Sequence, residues 1–125
     1  MRPIFRRSVI TALLVALLLL PARTAPRSVP VQINGIPLHA VCYVDSGVTY
    51  VPLRALLDSL GGWTLHWDAT AQAAVGVSDS VRITATPKTN TITLNDTFFS
   101  GRVTVENGRT YVPLRLVMEA MGSKV

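Results

Sequence analysis

The chain has 125 residues, 49% of them apolar and 15% charged, and a formal net charge of +5. Four of its 12 Lys and Arg residues (Arg2, Arg6, Arg7 and Arg23) lie near the start, so residues 26–125 carry eight against seven Asp and Glu. This near-neutral remainder excludes the basic footprint of a nucleic-acid binder, suffices for one small domain with one core, and has Cys42 as its only cysteine, so no internal disulfide holds it.

Arg2, Arg6 and Arg7 are followed by an uncharged leucine-rich run from Val9 to Leu20 and then by small and turn-forming residues to Pro26. That order predicts a secretory signal peptide over residues 1–25. The apolar run is 12 residues long, short of the ~20 that a membrane-spanning helix needs. Arg23 and Pro26 make a poor cleavage context, so an uncleaved anchor is the alternative. The expected location is therefore secreted or cell-envelope associated, with membrane contact only through a retained leader. Residues 26–30 read as a linker.

Val31-Gln32-Ile33 alternates as a strand does, and Asn34-Gly35 is a strong hairpin turn. A second strand is predicted over Leu38–Val44, a turn at Asp45-Ser46-Gly47, and a third strand at Thr49-Tyr50-Val51. Pro52 then changes the period, because its fixed φ and missing N–H suit a first helical turn. Leu53, Leu56, Leu57 and Leu60 fall on one face of a helix, which Gly61 can end. Trp63, Leu65 and Trp67 alternate with Thr64 and His66 as a half-buried strand, and Asp68-Ala69-Thr70 is a turn. Short strands over Ala73–Val77 and Val81–Ala85 are joined by Ser78-Asp79-Ser80. Pro87–Asn90 breaks the chain before strands at Thr91–Leu94 and Arg102–Val105.

Thr49-Tyr50-Val51-Pro52-Leu53-Arg54 returns intact as Thr110-Tyr111-Val112-Pro113-Leu114-Arg115. Asp45-Ser46-Gly47 matches Glu106-Asn107-Gly108, and Ile33-Asn34-Gly35 matches Leu94-Asn95-Asp96. Leu53, Leu56, Leu57, Leu60 and Gly61 match Leu114, Val117, Met118, Met121 and Gly122. The predicted fold is α+β, with an antiparallel β-sheet packed on two short helices. It is built from a duplicated strand–hairpin–helix unit, with copies over about 31–86 and 91–125, the second incomplete.

This pattern of hairpin, Tyr-Val-Pro-Leu-Arg, apolar helix, Leu-Gly and Trp67-Asp68 resembles the copper amine oxidase N-terminal domain-like family, or stalk domain, over roughly Val31–Val125. The extra residue at Gly61-Gly62 departs from the pattern of the second copy. The resemblance implies a projecting domain separate from any catalytic core, carrying neither copper nor quinone cofactor. It also implies occurrence in exported bacterial proteins, alone, in tandem or beside cell-wall enzymes.

The residues themselves point the same way. His39 and His66 are the only histidines, too few for a three-histidine copper site, and a zinc or copper site otherwise needs three or four ligands at local spacing. No Gly-x-Ser-x-Gly elbow occurs, and a Cys42–His39 dyad is disfavoured because residues three apart on a strand face opposite ways. Cys42 reads as a buried, inert thiol. Asp45, Asp68 and Asp79 read as turn residues and Asp58 as a helix-surface residue. No catalytic, cofactor or metal site is assigned.

Four residues are candidate contacts to a ligand or partner. Arg54 and Arg115 each precede an acidic residue by four, so each can form an i, i+4 pair. A structural role, with the guanidinium reaching strand carbonyls, is favoured over contact with an anionic wall polymer. Trp63 and Trp67 share a strand face and could stack on a sugar, although filling the core is the usual role of Trp. The expected function is a non-catalytic structural or interaction domain at the bacterial cell envelope. Alternatives are a module binding peptidoglycan or another wall glycan, and the accessory N-terminal region of a secreted enzyme. Expected partners are a cell-wall polymer or another envelope protein.

Overall fold

The computed structural model describes residues 25–122. The leader, apart from Ala25, lies outside them. Among the described residues no helix is long and apolar enough to cross a membrane.

Among the described residues, twelve strands and two helices follow one another in chain order. Strands β1 (Arg27–Val29), β2 (Gln32–Ile33), β3 (Ile36–Pro37), β4 (Cys42–Asp45) and β5 (Val48–Pro52) lead into helix α1 (Leu53–Leu60). A meander of β6 (Thr64–Asp68), β7 (Ala73–Ser78) and β8 (Val81–Thr86) comes next. Strands β9 (Thr91–Leu94), β10 (Thr97–Ser100), β11 (Thr104–Glu106) and β12 (Arg109–Pro113) lead into helix α2 (Leu114–Ala120). The class is α+β, with antiparallel sheets and two short helices.

The strands form two five-stranded sheets, β1-β4-β5-β12-β11 and β10-β9-β8-β7-β6, while β2 and β3 make a separate hairpin. In the first sheet the two identical segments lie side by side and antiparallel, with Val51 opposite Val112 and Tyr50 opposite Pro113. Strand alternation puts Tyr50 on one face and Val51 on the other. Val51, Val112 and Cys42 join the main core with Leu53, Leu56 and Leu57 of α1, Val117 and Met118 of α2, and Ile83, Ala85 and Ile92 of the second sheet.

On the other face, Tyr43 stacks on Tyr50 with ring centroids 5.2 Å apart and meets Tyr111 at 5.1 Å. The Tyr43 hydroxyl lies 3.2 Å from Thr104 Oγ1, although β5 and β12 separate their strands. A flat sheet would set those strands about 14 Å apart, at ~4.8 Å per step. The sheet therefore curls around its tyrosines. The Tyr111 hydroxyl on β12 reaches across β5 in the same way, donating to the carbonyl of Val41, just before β4, at 3.0 Å.

Gly76 sets the distance between α1 and the second sheet. A Cβ there would lie 2.7 Å from Leu57 Cδ1 and 2.9 Å from Ile83 Cγ2. Only a residue without a side chain lets Leu57 rest on β7. Gly101 plays the same part beneath α2, where a Cβ would lie 2.5 Å from Leu116 Cδ2.

Three sequence readings need correction. Residues 27–29, read as linker, form edge strand β1, because Val29 pairs with Cys42 and packs against the core. The strand expected over Leu38–Val44 begins only at Cys42, as β4; residues 38–41 are irregular, and the short β3 lies ahead of them at Ile36–Pro37. The Leu38 N–H is already committed to the Val31 carbonyl at 2.8 Å. The strand expected over Arg102–Val105 starts later, at Thr104, and β10 lies ahead of it. There the Asn90 side chain accepts the Val103 N–H at 3.0 Å, in place of a ladder bond.

Candidate binding groove

A groove of about 1470 Å³ runs between β3 and the segment after it, helix α1, strand β6 and the β11–β12 turn. It gathers four of the seven large apolar side chains that are exposed among the described residues: Ile36 (64%), Val41 (58%), Trp67 (49%) and Val105 (49%). Isolated exposed apolar residues are ordinary, but their convergence on one depression is the mark of a contact surface.

Polar groups are set into this apolar lining. Arg54 stands at the start of α1, exposed, and donates from Nη2 to the Leu65 carbonyl on β6 at 3.3 Å. The sequence expectation that this arginine reaches a strand carbonyl matches that bond. Its expected pair with Asp58 is not formed: among the described residues the ion pairs are Arg102–Asp45 and Arg115–Glu119. Arg54 turns across to β6, which draws its charge away from the helix surface. Asp58, His39, His66 and Arg109 line the groove as well, giving it both signs of charge.

The four candidate contact residues separate. Arg54 and Trp67 come together in the groove, while Trp63 and Arg115 do not line it. Trp63 packs against the core beside Gly76, its ring 3.5 Å from where a Cβ would be. Trp67 shares the core-facing side of the strand but lies further along β6, opposite Ala74. It stays half-exposed there. Arg115 sits on the surface of α2, 3.9 Å from Glu119, with both side chains more than half exposed. Such a pair contributes little.

Cys42 is buried, and burial raises its thiol pKa above the usual value. A protonated, enclosed thiol is a poor nucleophile. His39 is exposed on the irregular segment before β4, in the groove, whereas Cys42 Sγ points to the Ala40 carbonyl at 3.7 Å. Among the described residues, no three His, Cys, Asp or Glu side chains come together in a way that could hold a metal ion.

Sequence reasoning missed most of the groove. Ile36, Val41 and Val105 look like ordinary strand residues, and only the tertiary arrangement brings them together. It also missed Asp45, read as a turn residue. Asp45 is 4% exposed and accepts from Arg102 Nη1 at 2.9 Å and from the Ser46 hydroxyl at 3.2 Å.

The fold and groove define an α+β domain whose distinctive surface feature is an apolar recess edged with charge. The chain belongs to the copper amine oxidase N-terminal domain family, which it matches over residues 32–125. In copper amine oxidases that domain is not the catalytic part. No curated protein and no solved structure matches the chain.

Proposed function

We propose that this is a non-catalytic, exported interaction domain of stalk type, acting at the bacterial cell envelope as a spacer that also holds a partner. The observation that carries this reading is the convergence of Ile36, Val41, Trp67 and Val105 on one groove. Apolar surface gathered in this way gains free energy when a partner covers it. A duplicated strand–hairpin–helix unit accounts for the scaffold. It is supported by the two identical segments and by their symmetric pairing about Val51 and Val112.

A wall glycan is the second reading, favoured by one detail. Trp67 offers a half-exposed ring in the groove that Arg54 also lines. An aromatic face together with a charged donor suits a sugar ring bearing anionic groups.

The test is sedimentation of the full chain with isolated cell walls, titrated to saturation. Saturable binding that survives moderate salt and falls in both Trp67→Ala and Arg54→Ala supports the glycan reading. Absence of binding by folded protein, with groove-directed cross-links to another envelope protein, supports the spacer reading. Absence of both refutes the groove as a contact surface.

A further inference from the structure

Asn95 fastens strand β8 onto β9. Its backbone N–H donates to the Arg82 carbonyl at 2.8 Å, and its side-chain Oδ1 accepts the Arg82 N–H at 2.9 Å. From that clamp β8 runs along β9 with Ile83 opposite Leu94, Thr84 opposite Thr93 and Ala85 opposite Ile92.

The first hairpin carries the same device. Val31-Gln32-Ile33-Asn34 corresponds to Ile92-Thr93-Leu94-Asn95, at the offset that separates Tyr50 from Tyr111. Asn34 and Asn95 have φ of 53° and 52°. Val31 and Ile33 are buried in the core, while Gln32 and Asn34 are exposed. Yet among the described residues β2 pairs only with β3.

The direction of the free groups follows from the hairpin. Ile33 pairs with Ile36 across a two-residue turn, so these two exchange the closing ladder bonds. Val31 accepts from the Leu38 N–H on the same side. Alternation along an antiparallel strand then aims the Gln32 N–H and C=O at the outer edge, as those of Thr93 are aimed at β8. Asn34 continues that row. An unpaired strand edge of this kind is a template for a further strand.

We infer that the outer edge of β2, from Val31 to Asn34, docks an antiparallel β-strand from a different protein, not a second copy of this chain, in the register β8 adopts on β9. The occupant's chemistry is read from β8. It presents small or apolar side chains opposite Val31 and Ile33, as Ala85 and Ile83 do opposite Ile92 and Leu94. The residue between them exchanges two backbone bonds with Gln32. The residue facing Asn34 gives its N–H to the Asn34 Oδ1. Pro30 stands where the second hairpin has Thr91, and with no N–H to offer it ends the row. This strand addition is one of the standard ways of recognising a peptide. None of residues 31–34 lines the Arg54–Trp67 groove, which β3 borders on the other side of the hairpin, so failure of wall binding leaves this docking intact.

The experiment uses the full chain, labelled with nitrogen-15, and a peptide with the sequence of residues 80–87 as the probe strand. Saturable shifts and slowed hydrogen exchange are expected at the Gln32 and Asn34 amides. Asn34→Gly retains the positive φ but removes the clamping oxygen, and should weaken binding about tenfold. Gln32→Pro removes the outward N–H without touching the β3 ladder, and should abolish it. Well-dispersed spectra of both variants establish that they fold. Shifts absent from Gln32 and Asn34, equal shifts with a scrambled peptide, or unaltered binding by both variants would overturn the proposal. Concentration-dependent shifts at Gln32 without peptide would overturn it too, by assigning the edge to a second copy of this chain.

Discussion

Arg102 Nη1 lies 2.9 Å from Asp45 Oδ2, joining the segment that leads into β11 to the far end of β4 across the curl of the first sheet. Asp45 is almost fully enclosed, whereas Arg102 is about half exposed. The interaction is therefore asymmetric: removing the arginine leaves a carboxylate in a poorly solvated place. Arg102→Leu should destabilise the domain by about 1–3 kcal/mol, the cost range for stranding a buried polar or charged group that keeps some other contacts. Asp45→Asn should cost less, because the amide is neutral. Urea titrations of both variants check the order. A larger loss in Asp45→Asn would mean that Asp45 acts through its other contacts, such as Ser46, and not through Arg102.

The seat of α2 rests on Gly101 and Leu116. A Cβ on residue 101 would come 2.5 Å from Leu116 Cδ2 and 3.4 Å from Pro113 Cγ. Leu116 is only partly buried, so it can yield at moderate cost. Gly101→Ala should destabilise by about 1–3 kcal/mol, as overpacking does. Adding Leu116→Ala should recover part of that loss, since the clashing atoms are gone. A double-mutant cycle measures this coupling. Simple additivity would show that Gly101 acts through its backbone and not through the space it leaves.

Much of this scaffold was legible because local rules and global packing agree. The spacing of Leu53, Leu56, Leu57 and Leu60 marks the helix whose three buried residues are the first three of these. Asn34-Gly35 gives its turn because both residues sit at positive φ. The signal fails where an element is held by distant partners. β1 looks like linker because Pro26 and Pro30 flank its three residues, and only its pairing with β4 makes it a strand. The groove was half legible: Arg54 and Trp67 draw attention by residue type. Val41 and Val105 do not, because their exposure depends on which elements fail to cover them.

The helix faces give a sharper test of the packing. Leu57 is 1% exposed and Met118 is 8% exposed, at corresponding positions of α1 and α2. Leu57→Asp and Met118→Asp should each unfold the domain, because an unpaired charge in an apolar core is costly. Leu57→Ala should cost about 2–5 kcal/mol, with Met118→Ala towards the lower end because methionine accommodates gaps more readily. Far-UV circular dichroism and urea midpoints decide this. Native-like stability in either Asp variant would mean that its helix does not dock on this core.

The tyrosine face predicts a dependence on alkaline pH. Burial raises the pKa of Tyr50 and of Tyr111; Arg102 opposes it at Tyr50, and Arg109 opposes it at Tyr111. The Tyr111 hydroxyl also donates to the Val41 carbonyl, a bond that only the protonated phenol can make. A group whose pKa is higher folded than unfolded supports the fold fully below its unfolded pKa, about 10 for tyrosine. That support is lost as pH rises from there through the folded value. Stability should therefore fall as pH rises beyond about 10, and Tyr50→Phe and Tyr111→Phe should each flatten the slope. Cys42, also raised by burial, contributes in the same direction from a lower pH, so the comparison belongs in a Cys42→Ala background. Tyr111→Phe should in addition cost about 1 kcal/mol at neutral pH through the lost hydrogen bond. Urea midpoints measured from pH 7 to pH 11 would show both effects. A slope that both Phe variants leave unchanged would place the alkaline sensitivity outside the tyrosine face.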